Sequence, residues 1–125
     1  MTTIESLEVI LDGTVALAAG GGAKGLLVAF SFDGYFDQVA KLEFEDKVSR
    51  VKRLFQADIF IVGSWGSVFI VQYKDKQLLK LGAVNNLCDG LINWIESSGS
   101  ELYILDSIGT SFTKIKFNID LDGEF

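Results

Sequence analysis

The sequence predicts an all-β fold built from antiparallel, four-stranded, blade-like repeats. Three observations carry that reading. Residues 59–73, "IFIVGSWGSVFIVQY", are two apolar blocks around a Gly-Ser-Trp-Gly-Ser centre, and a strand apolar at nearly every position is one covered on both faces. The same plan recurs at 102–117, "LYILDSIGTSFTKIKF", displaced by about 42 residues, and at 15–30, "VALAAGGGAKGLLVAF", displaced by about 43 the other way. A period of roughly 40–45 residues is that of four-stranded propeller blades. The chain therefore reads as one all-β domain over 1–125, a partial β-propeller of about three blades, with repeats at approximately 4–44, 47–84 and 90–125.

The segments between the hairpins supply the other strands. A short amphipathic run precedes each hairpin: "SLEVIL", "KVSRVKRL" and "GLINWI". A more polar run follows the first two, "FDQVAKLEF" and "KQLLKLGAV", as suits an outer strand that meets water. Asp33-Gly34 and Asp122-Gly123 fit the positive backbone dihedrals of a type I′ hairpin turn, and "KDK" around Asp75 takes that place in the second repeat. In the third repeat "FTKIKF" alternates Thr113, Ile115 and Phe117 with Phe112, Lys114 and Lys116, so one face is half wet. A helix over Phe36–Phe55 fits the apolar spacing less well, because "AKLEF" alternates and Glu43, Glu45, Asp46 and Lys47 read as a turn.

Composition narrows the function. A 125-residue chain that is 49% hydrophobic is long enough for one sizeable core. Its net charge of −6 argues against nucleic acid and anionic lipid, which need a basic surface. The single cysteine, Cys88, allows no intrachain disulfide, and "MTTIESLEVI" does not look like an export signal, so a cytoplasmic or nuclear location is expected. Thr14–Phe32 approaches the length of a membrane span, but three glycines and Lys24 divide it into two strand-length halves. No membrane partner is expected.

With no histidine in the chain, the commonest general base and transition-metal ligand are missing, and no catalytic, cofactor-binding or metal-binding residue is assigned. "GGGAKG" at 20–25 lacks the phosphate-loop spacing and reads as a hairpin tip. Cys88 reads as a structural thiol, and Glu43, Glu45 and Asp46 as a solvated loop. "NIDLDG" at 118–123 matches half of a calcium loop but reads as a turn.

"KVSRVKRLFQADIFIVGSWGSVFIVQY" resembles one repeat of the WD-repeat β-propeller family, and "GSWG" is similar to that family's Gly-Ser-Trp-Asp element. The resemblance is a pattern over most of the chain and a motif over about thirty residues. The family's Gly-His is absent, and "QYKD" stands where its closing Trp-Asp would be, so the hydrogen-bonded His–Asp–Ser–Trp arrangement cannot form. What the resemblance implies is a non-enzymatic protein–protein interaction or scaffold module.

Three blades cannot close a ring, since propellers take about four to eight. Uncovered blade faces would be apolar patches, so the chain is expected to be a fragment, to self-associate, or to meet a partner chain that completes the propeller. Strand alternation places the turns joining second and third strands at one end, which nominates Gly20, Gly21, Gly22, Lys24, Ser64, Trp65, Asp106 and Ser107 as a face for a protein or peptide. Trp65 at a hairpin tip is the candidate anchor, against a packing role over the adjacent blade, and Trp94 is read as core. The alternatives are a small β-barrel or sandwich that binds a ligand and, last, a hydrolase or transferase.

Overall fold

A computed structural model of the chain describes residues 3–10, 13–32, 37–54, 58–98, 101–106 and 112–116. Among them are eleven strands and no helix. The first sheet runs β1 (Ile4–Val9), β2 (Val15–Gly20), β3 (Leu26–Ser31) and β4 (Asp37–Glu43) in chain order. The second runs β5 (Arg50–Leu54), β6 (Ile59–Gly63), β7 (Val68–Lys74) and β8 (Gln77–Val84). The third holds β9 (Ile92–Ser98), β10 (Glu101–Asp106) and β11 (Phe112–Lys116). Every pairing is antiparallel between neighbours in sequence, and the sheets stay separate. The architecture is thus blade-like, and the closed small barrel does not form.

Two apolar cores explain why β6 and β7 carry so little polarity. One face of the second sheet gives Val51, Phe60, Val62 and Val71 to a core shared with Leu17, Ala19, Leu27 and Ala29 of the first. Its other face gives Leu54, Ile59, Ile61 and Val68 to a core shared with Ile92, Ile95, Leu102 and Ile104 of the third. Consecutive residues Phe60 and Ile61 therefore point into different cores, and both are fully buried. The second sheet is the middle layer of three.

The edge strands β1, β4, β8 and β9 each carry a register shift. Such bulges bend a strand and increase its twist, which disfavours edge-to-edge pairing. The β4 shift leaves Val39 without a partner and the β8 shift leaves Leu81, at matching places in the two sheets. Between β7 and β8, Asp75 and Lys76 have φ of 52° and 59°, the two positive angles of a type I′ turn made without glycine. Asp33-Gly34, Asp122-Gly123 and the 118–123 segment lie outside the described residues.

The first strands of the three sheets lie side by side, β1 against β5 and β5 against β9, while β4 meets β8 at the rim. Side chains sew the inner strands together. Ser6 Oγ accepts from the Val51 amide at 3.1 Å, the Arg53 amide donates to Glu8 Oε2 at 3.2 Å, and Lys47 meets Glu5 at 3.2 Å. Lys52 lies between Glu8 at 3.9 Å and Glu96 at 3.8 Å, bridging all three sheets.

Candidate protein-interaction site

The antiparallel registers bring the 20–26 turn, the 44–49 linker, the 63–68 turn and the 85–91 linker to one end of the stack. Hydrogen bonds join them there. The Gly25 amide donates to Asp46 O at 2.9 Å, and Ser64 Oγ donates to Lys47 O at 2.6 Å, so one linker ties the turns of the first and second sheets together. A Cβ on Gly25 would lie 2.5 Å from Asp46 O, which is why the crossing needs glycine.

The Gly-Ser-Trp-Gly segment does similar work one junction later. Gly63 leaves room for Ile92, whose Cγ2 would be 2.8 Å from an added Cβ. Trp65 forms a bridge with Leu91, the Ile92 amide donates to Ser64 O at 3.0 Å, and the Gly66 amide donates to Gly90 O at 2.8 Å. Buried Ser49 completes the knot, donating from Oγ to the carbonyls of Ile92 and Gly63. The motif that stood out in the sequence thus fastens the third sheet to the second.

The nominated residues divide accordingly. Lys24 is exposed, Gly21 and Gly22 are half-buried with φ of 98° and 84°, and Trp65 remains 56% exposed, so these can meet another molecule. Gly20 and Ser64 are buried, and Asp106 is 1% exposed at the end of β10 with its own bonding partner. These three hold the end together from inside and offer no contact surface. Ser107 lies outside the described residues. Trp65 is thus held through its backbone beside Leu91 while its residue surface stays largely exposed.

Trp94 corrects the sequence reading, for it is 51% exposed instead of core. The cause is the β9 bulge: Asp106 pairs with Ile92 and Leu105 with Trp94, leaving Asn93 unpaired. Ile92 and Ile95 then both turn inward while Asn93 and Trp94 both turn outward. Trp94 donates from Nε1 to Glu96 Oε1 at 2.9 Å, and the Arg50 guanidinium stands 5.5 Å from its ring centre.

The sequence also left unplaced the apolar side chains that β1, β9 and β11 expose on the end sheets. On the first sheet the rows Ile4–Gly20–Leu26, Leu7–Ala18–Val28 and Val9–Ala16–Phe30 face away from the shared core; Leu7 is 63% exposed while Ala18 and Val28 are buried, so the exposure of these rows is concentrated on β1. Here β1 is inverted: Glu5, Ser6 and Glu8 bond towards β5, and Ile4, Leu7 and Val9 meet water. On the third sheet the outer rows are Trp94–Leu105–Phe112 and Glu96–Tyr103–Lys114. Tyr103 donates to Glu101 Oε2 at 2.5 Å and Lys114 meets the same oxygen at 3.2 Å. The tyrosine hydroxyl and then the ammonium hold the Glu101 carboxyl below its usual range, and the carboxylate in turn raises both Tyr103 and Lys114.

A groove of about 250 Å3 runs between β1, β5 and β9, lined by Glu5, Glu8, Arg50, Lys52, Trp94 and Glu96 among others. Within it Lys52 lies between Glu8 and Glu96, whereas Arg50 bonds the carbonyls of Glu5 and Ser49, and Glu5 Oε2 and Arg50 Nε are buried with no hydrogen-bond partner. No protein-family model and no curated protein matches the chain.

Proposed function

We propose that this chain is a non-enzymatic protein–protein interaction module of the WD-repeat propeller type, an incomplete blade stack whose work is to bind another protein chain. The carrying observation is the apolar row that the edge strand β1 leaves exposed on the first sheet. The corresponding faces of the second and third sheets are each packed by the sheet before them, whereas Ile4, Leu7 and Val9 are open to solvent among the described residues. A cluster of large apolar side chains left in water marks an interface. The residues around Trp65, with Lys24, Gly21 and Gly22, supply a second surface for a peptide or protein at the turn end, where a rigid aromatic gives contact area at little entropic cost.

Static light scattering at micromolar concentration tests the reading. A mass above the 13.7 kDa of one chain is expected, or a monomer that takes up an apolar dye while folded. A monomer of that mass that unfolds cooperatively and binds no dye would count against it.

A further inference from the structure

The three sheets differ in strand number. Among the described residues the first and second have four strands each and the third has three, so β11 stands at an edge where β3 and β7, its counterparts, pair onward with β4 and β8. The other edges are guarded. β1, β4, β8 and β9 carry bulges, and the edge of β5 is covered by β1, whose Ser6 and Glu8 side chains take the Val51 and Arg53 amides. β11 has neither protection: it pairs with β10 over five residues without a shift, and among the described residues no strand pairs beyond it. A regular open edge of this kind is a template for another strand.

The second sheet marks where such a strand would lie. β4 stands beside β8, and its Val39, Ala40 and Leu42 pack against the core that the first two sheets share. Leu81 takes the place of Val39 in β8, yet it is 48% exposed. Leu79 is 40% exposed and points to the side of the third sheet, because it pairs with Gln72, and Gln72 pairs with Ile59 of the core shared with that sheet. The rim of the second sheet is thus packed on the side of the first sheet and bare on the side of the third.

We infer that β11 and these leucines form a docking edge for an extended segment of another protein, a segment in which large apolar residues alternate with acidic ones. This rests on the interaction reading above and gives the partner a chemistry. The alternation follows from the two sides of β11. Ile115 packs against the core shared with the second sheet, and Thr113 donates to Leu87 O at 3.1 Å, so residues set opposite these two point towards β8 and meet Leu79 and Leu81. Those positions call for apolar side chains. Lys114 and Lys116 lie on the other side and are exposed, and a carboxylate directly opposite a lysine is the favoured cross-strand partner. Main-chain bonds to the open edge supply affinity, and the alternate side chains supply selectivity.

Two labelled peptides as long as β8, one alternating valine with aspartate and one alternating valine with lysine, test this against the 125-residue chain. Fluorescence polarisation should show the aspartate peptide binding about ten-fold more tightly, and Lys116→Glu should narrow that preference. Leu79→Gln, at an exposed position where circular dichroism checks the fold, should weaken the aspartate peptide about ten-fold, while Leu7→Gln on β1 should leave it unchanged. Hydrogen exchange gives a second readout: the alternate amides of 112–116 that β10 does not take should exchange fast in the chain alone and slowly once the peptide is added. Equal affinity for the two peptides would overturn the inference and leave the interaction reading standing. So would slow exchange of every β11 amide in the chain alone, which would show the edge already covered by the chain itself, or binding lost with Leu7→Gln but not with Leu79→Gln. A monomer that binds neither peptide nor apolar dye would overturn both.

Discussion

Truncating Phe60 and, separately, its neighbour Ile61 probes the middle layer from both sides. In a sheet with one wet face, adjacent residues differ sharply: one supports the core and the other can be removed at little cost. Here both side chains have no exposed surface, Phe60 within the core shared with the first sheet and Ile61 within the core shared with the third. Cavity formation in such surroundings costs about 3–5 kcal/mol for Phe→Ala and about 2–5 kcal/mol for Ile→Ala. Leu79→Ala is the control, since that leucine is exposed on the rim strand and should cost less than about 1 kcal/mol. Equilibrium urea unfolding, followed by tryptophan fluorescence at one fixed protein concentration, reads all three, the fixed concentration being needed because association adds to apparent stability. A loss below about 1 kcal/mol for either Phe60→Ala or Ile61→Ala would show that one face of the second sheet is wet, and the stacking order would fail.

Three further outcomes follow from individual contacts. Gly63→Ala places a methyl 2.8 Å from Ile92 Cγ2 and should destabilise by about 1–3 kcal/mol, so an unchanged melting temperature would contradict the close approach of the second and third sheets. Lys76→Gly removes a lysine from φ of 59° and should stabilise by about 0.5–1 kcal/mol in urea titration, glycine's larger unfolded-state entropy offsetting part of the gain; a loss of stability would refute the turn type. Because the Glu101 carboxyl is lowered in the folded chain, its contribution is present above its usual value of 4.5 and is lost as pH falls through the folded value. The stability difference between wild type and Glu101→Gln should therefore shrink in acid below about pH 4.5, and the Tyr103 phenol, raised above 10 in the wild type, should titrate lower in the variant.

What the sequence revealed and what it hid divide along physical lines. Face coverage of β6 and β7 was legible because a strand buried on both sides has no polar period to keep. The strand order was legible because each hairpin pairs neighbours, which needs only local turn chemistry. Trp94 was misplaced because a one-residue bulge at Asn93 reverses the facing of everything beyond it, and the bulge has no signature in "INWIES". Ser64 looked like part of an exposed tip because its partner, Lys47 O, belongs to a linker whose path is set by packing of two sheets rather than by local sequence. The inversion of β1 was hidden for a related reason: Glu5 and Glu8 look like a wet side until Lys47, Lys52 and Arg53 of β5 are brought beside them.

Hydroxyl-radical footprinting across a concentration series tests the central claim most directly, because it reports side-chain exposure on each sheet face separately. The account predicts that Phe60 and Ile61 stay protected at every concentration, while Ile4, Leu7 and Val9 react in dilute solution and become protected as the chains associate. Equal reactivity of Leu7 at all concentrations, up to those at which the chain is as crowded as its solubility allows, would contradict the claim that the exposed apolar row of β1 is a binding surface for another chain.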